Sequence, residues 1–461
     1  MILLITGLTV FTLKSLDFLY LFQTKEYRLD RILAFFKEEN VLKVLYLRLI
    51  RMPAITIRNL LIGQGIFFNI IPLYLLFKNL NFGFMLIFLI LSPVLALITM
   101  LLGVLLSEIP VQIYRKVTIY QARQLVKNSQ AVFIGITGSY GKTSTKEFLF
   151  EILSQKYKTA KTEKNYNSDI GVSLSILKNL KPDTQFFIAE LGAYKKGEIK
   201  KICKIIHPKY GILTGIGNQH LHLFGSRKNL LEAKAELLES LPSHGVAYIN
   251  RDIKDWRYFS EKTKAKKEYF SLDKMPFAIK TNLLGKHNLQ NLLPCIALAL
   301  QLGIDKTLIL KVIKNLKPIP GRLSQKKGLN QSTLLDDSYN SNVDGFITAV
   351  NTAKQMNFAQ KLILSRGLIE LGEEKTASYQ KIITTINKSD LTLLTTDNLF
   401  KRLAGKNKVI YFQNEKQMLD YIKNLADKNT LIVIEGRFEA RTLDELFAYS
   451  QKLAVDSQKF A

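Results

Sequence analysis

Three long apolar runs crowd the first quarter of the chain, and nothing comparable follows them. Met1 to Phe22 carries only Lys14 and Asp17 as charges, while Leu60 to Phe77 and Asn81 to Ser107 carry none. Each reaches or approaches the roughly 20 residues a helix needs to cross a bilayer. A helix is required there because inside hydrocarbon every backbone N–H and C=O must find its partner within the segment. Residues 1–115 are therefore expected to form a membrane anchor of about three transmembrane helices. The first run lacks the basic start and small-residue cleavage site of a secretory leader. Its two charges leave a spanning helix and a helix lying in the membrane surface both open.

Charge sets the direction of insertion. Residues 23–57 hold Lys25, Arg28, Arg31, Lys37, Lys43, Arg48 and Arg51, whereas little beyond Lys78 separates the second and third runs. The basic loop belongs in the cytosol, so three crossings return Arg115, Lys116 and the rest of the chain to the cytoplasmic face of the inner membrane. The whole chain has 65 Lys and Arg against 38 Asp and Glu, a net charge of +27, which suits an anionic lipid surface as partner. Basic stretches such as Lys195-Lys196, Lys200-Lys201 and Lys264 to Lys267 have no interleaved aromatics, so nucleic acid is not expected as a partner. Two lone cysteines, Cys203 and Cys295, exclude a disulfide framework and a cysteine-only zinc site.

After Gln130 the texture changes to short apolar runs alternating with helical periodicity, the pattern of an α/β fold. Strands are expected at Ala131 to Thr137, Gln185 to Glu190 and Tyr210 to Thr214, with a helix over Thr143 to Gln155. The break Lys317-Pro318-Ile319-Pro320-Gly321 opens a second series, with strands at Ser332 to Leu335, Lys361 to Leu364, Leu391 to Thr395, Val409 to Phe412 and Leu431 to Ile434. The expected division is an anchor over 1–115, a central α/β domain over 116–317 and a Rossmann-like α/β domain over 318–461.

The strongest chemical signal lies between the first of these strands and its helix: Thr137, Gly138, Ser139, Tyr140, Gly141, Lys142, Thr143 and Ser144. Glycines let such a loop wrap a phosphate, and the helix start favours the anion. Lys142 reaches the terminal phosphates, and the Thr143 hydroxyl can hold Mg²⁺. The generic phosphate-loop spacing wants glycine where Ile136 stands. By itself the loop leaves kinase, GTPase, transporter ATPase and ligase all open.

Residues beyond the loop narrow the choice. Lys164-Asn165-Tyr166-Asn167-Ser168-Asp169-Ile170-Gly171-Val172 comes next, then Ala189-Glu190-Leu191-Gly192, His220-Leu221-His222-Leu223-Phe224-Gly225-Ser226 and Ala233-Lys234-Ala235-Glu236. Gly285-Lys286-His287-Asn288-Leu289-Gln290-Asn291, Pro320-Gly321-Arg322 and Asp336-Asp337-Ser338-Tyr339-Asn340-Ser341-Asn342 complete the series. In this order, over about residues 130 to 461, the chain resembles the Mur ligases, and among them the branch that adds D-alanyl-D-alanine. The family loop reads Thr-Gly-x-x-Gly-Lys-Thr, which Thr137 to Thr143 matches even where Ile136 breaks the generic rule.

The resemblance implies an ATP- and Mg²⁺-dependent ligase that forms an amide bond through an acyl phosphate, acting on a cell-wall precursor with an amino acid or dipeptide as the amine. It implies catalytic roles for Lys142, Glu190, His220 and Lys234. Thr143 and Glu190 would hold one Mg²⁺, and His220 with a carbamylated Lys234 a second. Carbamylation would turn a cation into the anionic oxygen ligand that a hard metal ion takes. His287, Asn288 and Asn291 would contact the nucleotide base, and Arg322 with Asp336 or Asp337 the phosphate and ribose. Taken alone, each position has a plainer reading: a strand-end acid, a loop histidine, a solvated lysine, a turn arginine.

Departures from the family pattern are also visible. Thr214-Gly215-Ile216-Gly217-Asn218 stands for the usual Thr-Asn-Ile-Gly, Val343 for a proline, and Glu435-Gly436-Arg437 for Lys-Gly-Ser. The membrane runs occupy the place where soluble members have a domain that grips the UDP sugar. Two other functions therefore stay in view: a ligase for a different or lipid-linked carboxylate, and a membrane-anchored nucleotide-binding scaffold that does not ligate. Lys234, His220 and Arg322 favour ligation, since a switch would need only the phosphate loop.

Overall fold

The computed structural model describes the chain except residues 49, 164–165, 218–223, 340–341, 369–370, 372–373, 405–407 and 448–461. It divides into two compact units, Met1–Thr118 and Ile119–Ala461.

In the first unit the three apolar runs are helices, Ile2–Thr24, Ile57–Phe77 and the 46-residue Phe82–Lys127, each long and apolar enough to cross a membrane. The last continues about 20 residues past Ser107 and ends within the second unit. The ends of the three helices alternate. Gly7 packs on Phe88 at one end. At the other, Tyr27 Oη donates to Asn59 Oδ1 at 2.6 Å, and Arg58 bonds Ser107 Oγ at 3.2 Å and Glu108 Oε2 at 2.9 Å. Successive helices thus run antiparallel, and the first and third run parallel.

Lys14 and Asp17 do not face outward. Lys14 Nζ donates to the carbonyls of Val44 and Arg48, and fully buried Asp17 accepts from the Arg51 amide at 3.2 Å with Arg48 Nε 3.6 Å away. Both charges therefore meet the returning segment around 44–51, and the outer face keeps large apolar side chains such as Phe67, Phe68 and Leu106. An apolar exterior with charges turned inward is the inverse of the usual water-soluble bundle.

The second unit contains two sheets. The first has strand order β2-β3-β1-β4-β5-β6, all parallel, with β1 Val132–Thr137, β2 Thr159–Lys161, β3 Phe186–Glu190, β4 Tyr210–Leu213, β5 Val246–Asn250 and β6 Lys266–Phe270. The second has order β11-β10-β9-β12-β8-β7, where β7 Ser324–Lys327 is antiparallel to β8 Thr333–Asp337. The remaining strands, β9 Gln360–Ser365, β10 Thr392–Thr395, β11 Val409–Tyr411 and β12 Thr430–Glu435, are parallel. Apolar clusters cover both faces of each sheet, so the inner strands read as unbroken apolar runs. Strands β2, β6 and β7 were not among those expected. They lie at sheet edges and read TAK, KKEYF and SQKK, because an edge strand is kept polar. The buried β5 was also not expected.

The sheet order positions the site. β1 lies between β3 and β4, with Ile136 opposite Glu190 and Thr137 opposite Leu213. Three parallel strands thus end side by side, at the carboxyl edge where ligands of open α/β sheets bind.

Candidate active site

The loop after β1 turns on two glycines. Gly138 has φ +153° and Gly141 φ +84°, and a Cβ on Gly141 would run into the Asn291 amide. Asn291 is there because the helix Lys286–Gln301 packs along the helix Lys142–Leu153 that follows the loop. The first intrahelical bond runs from Thr145 N to Gly141 O, so the N–H groups of Lys142, Thr143 and Ser144 precede the ladder and open toward an anion. Lys142 curls back over its own loop, donating to Gly138 O at 2.8 Å and Ser139 O at 3.2 Å. Burial lowers its pKa, with nearby Glu190 opposing the shift and Arg322 adding to it.

Glu190, at the end of β3, is buried beside this loop. Its Oε1 accepts from Asn167 Nδ2 at 3.2 Å, while Oε2 makes no hydrogen bond and has the Lys146 ammonium 3.4 Å away as an ion-pair partner. Among the described residues no three His, Cys, Asp or Glu side chains cluster as a metal site. Mg²⁺ suits such a place, because it takes one or two carboxylates and completes its shell with water and phosphate oxygens. The Glu190 oxygen and the Thr143 hydroxyl fit that requirement.

Lys234 lies on the helix Arg227–Glu239, only 4% exposed, with Nζ 5.7 Å from the centre of the Phe224 ring. Burial, reinforced by the positive charge of Lys142, lowers its pKa to about 7 against the pull of Glu198 and Glu236. His220 lies outside the described residues.

Beside the loop lies a cleft of about 210 Å³ lined by Tyr140, Gly141, His287, Asn291, Arg322 and Asp337, among others. Burial holds the His287 pKa down at about 4, helped by Arg322, so the ring is neutral at pH 7, and its buried Nδ1 has no hydrogen-bond partner. Gly285, at φ +84°, leaves the room this ring takes. Arg322 stacks 4.5 Å from the Tyr339 ring centre, and burial raises Asp337 to about 6 although Arg322 pulls it down.

Three expected residues face elsewhere. Asn288 donates to Leu284 O, and Asp336 is taken up by Lys326 and Ser338. Thr137 Oγ1 ties β1 to Leu191 O. Val343, in place of a proline, is the first residue of the helix Val343–Lys354, where a missing N–H costs nothing.

One residue at the centre was missed. Lys146, fully buried one turn after Lys142, has Nζ 3.4 Å from Glu190 Oε2 and 3.4 Å from Glu147 Oε1. Its spacing from Lys142 puts it on the same helix face, but burial of a lysine is invisible in sequence. Lys146→Met should destabilise the fold by roughly 3–5 kcal/mol, as when one partner of a buried ion pair is removed. An unchanged unfolding temperature would show that Glu190 does not need this ammonium.

With this geometry in place, comparison with known proteins identifies the lineage. Residues 136–276 match the Mur ligase middle domain and residues 321–438 the Mur ligase glutamate ligase domain. The chain belongs to the Mur ligases. Family members are ATP-dependent amide-bond ligases that use Mg²⁺. This ligase is 29% identical over 314 residues to the UDP-N-acetylmuramoyl-tripeptide--D-alanyl-D-alanine ligase of Escherichia coli, covering 60% of this chain and 69% of that one. It is 28% identical to the enzyme of that name from Haemophilus influenzae, covering 69% and 76%. Crystal structure I of MurF from Acinetobacter baumannii superposes with a TM-score of 0.66 at 25% identity, covering 72% of this chain and 80% of the other. The Thermotoga maritima MurF ligase in complex with ADP shares the fold, with a TM-score of 0.65 at 22% identity and coverage of 73% and 84%.

Proposed function

We propose that this ligase joins D-alanyl-D-alanine to a UDP-muramoyl-tripeptide, the reaction for which its Escherichia coli and Haemophilus influenzae relatives are named. The observation that carries the reading is Lys142 and Glu190 together at one sheet edge, with buried Lys234 within electrostatic reach of Lys142, in a chain that matches both Mur domains. A carboxylate oxygen of the tripeptide attacks the γ-phosphorus of ATP, and ADP leaves. The dipeptide nitrogen then attacks the acyl carbon, and phosphate leaves as the amide forms.

The side chains divide this work. Lys142 and Arg322 balance phosphate charge, and neutral His287 presents an unpaired ring nitrogen to the base. Thr143 and Glu190 would hold one Mg²⁺ and His220 with a carbamylated Lys234 a second, and bound there the ions would supply positive charge to the phosphate oxygens. The lowered pKa of Lys234 supports this role, since only the unprotonated amine attacks CO₂. Purified full-length protein given MgATP, UDP-muramoyl-tripeptide and D-alanyl-D-alanine should yield the pentapeptide by mass spectrometry. Absence of product there, with product from a lipid-linked acceptor, would favour the second reading. That reading is supported by the three apolar helices carried in the same chain.

The apolar helices also support attachment to the cytoplasmic membrane with the ligase domains on the inner side. The N-terminus and the turn near Asn81 would then lie outside, and the basic loop inside. A cysteine introduced at Asn40 should resist an impermeant thiol reagent applied to intact cells, while one at Asn81 should react. The opposite pattern would overturn the topology. Labelling at neither site would favour helices that lie on the membrane surface.

A further inference from the structure

The phosphate loop is laced to the segment after β4. Ser139 N donates to Gly215 O at 2.7 Å, Thr214 Oγ1 donates to Tyr140 O at 2.6 Å, and Ser139 Oγ donates to Gly217 O at 3.3 Å. Tyr140 and Gly215 form an isolated antiparallel bridge, and the Tyr140 ring lies over it. A Cβ at position 215 would run into ring atoms Cε2, Cζ and Cδ2. One at Gly217 would lie 3.2 Å from ring atom Cε1 and 3.0 Å from Asp344 Oδ2. Neither glycine has a positive φ, so neither is there for backbone freedom. What both provide is room for the ring.

We infer that Tyr140 is a positioning residue whose ring, seated on Gly215 and Gly217, clamps the phosphate loop to segment 214–217 and fills the space of a side chain at 215. The departure Thr214-Gly215-Ile216-Gly217 from Thr-Asn-Ile-Gly then has a steric cause: the ring and a side chain at 215 exclude each other. Because the chain continues from this segment to His220, the clamp ties the phosphate loop to the strand end that leads to the histidine. The inference rests on reading residues 137–144 as the ATP phosphate loop.

A double-mutant cycle in the full-length protein tests it, with Gly215→Ala made in the parent and in a Tyr140→Ser background. The readouts are MgATP affinity by calorimetry and the unfolding temperature without nucleotide. Overpacking by the added methyl should weaken MgATP binding about tenfold and lower the unfolding temperature by several degrees while Tyr140 is present. In the Tyr140→Ser background both effects should shrink to about twofold or less and to roughly one degree. In a Tyr140→Phe background Gly215→Ala should have as large an effect as in the parent, because the ring and not the hydroxyl makes the clamp. If Gly215→Ala does not fold, recovery of folding in the double variant still supports the pair. Equal effects in the two backgrounds, or failure to fold in both, would overturn it, as would an unaltered Gly215→Ala protein. Neither readout uses ligation, so a parent protein that binds MgATP but yields no product would count against the proposed substrates and leave the clamp intact.

Discussion

Lys142→Ala should abolish ATP-dependent ligation while the protein still folds. The side chain is half-buried at the head of its helix and bonds only loop carbonyls, so its loss leaves no apolar cavity. Its ammonium is the charge best placed to meet a terminal phosphate, since the loop, the helix start and Glu190 converge there. Removing a preorganised group of this kind costs on the order of a hundredfold or more in rate. Product formation and circular dichroism together check the expectation. A well-folded variant ligating at the parent rate would remove residues 137–144 from the chemistry.

Lys234→Ala should lose ligation almost completely, and added short carboxylates such as acetate or formate should restore part of it. The physical cause is the buried site, which holds the amine at a pKa of about 7, well below that of an exposed lysine. Because this folded-state pKa is depressed, the neutral, CO₂-reactive amine is the main form above about pH 7 and is lost as the pH falls through it. The neutral fraction drops about tenfold between pH 8 and pH 6, and activity that depends on the carbamate should fall with it. Carbon-13 bicarbonate should give a carbamate resonance in the parent protein and none in Lys234→Ala. An alanine variant with full activity would exclude Lys234 from the site, and loss without rescue would mean that its ammonium or its packing matters instead.

The tight loop through Gly138, Gly141, Lys142 and Thr143 was legible because its geometry is local, set by neighbours in the chain. The apolar helices were legible for the same reason, since a run of some 20 apolar residues has few ways to bury itself. Lys14 and Asp17 were ambiguous in sequence, because only the returning segment around 44–51 reveals that their charges point inward. Asn288 and Asp336 were named as ligand contacts, yet their side chains turn to Leu284 O and to Lys326 and Ser338. Adjacent residues in a motif share a backbone path but not a direction.

By itself, the sequence determined the three apolar helices, the α/β character of the remainder and the glycine loop between its first strand and helix. Only the tertiary structure decided which distant residues join that loop. Parallel strands cannot be neighbours through a tight turn, so the strands flanking β1 are supplied from far along the chain. It is the sheet order that sets Glu190 beside Lys142 and lays Gly215 under the ring of Tyr140. Burial did the rest: the same lysine side chain is a solvated cation on an exposed helix, a partner for Glu190 at position 146 and an amine with its pKa lowered to about 7 at position 234. Those differences arise from the desolvation and neighbouring charge that the assembled fold creates, and no local pattern of residues contains them.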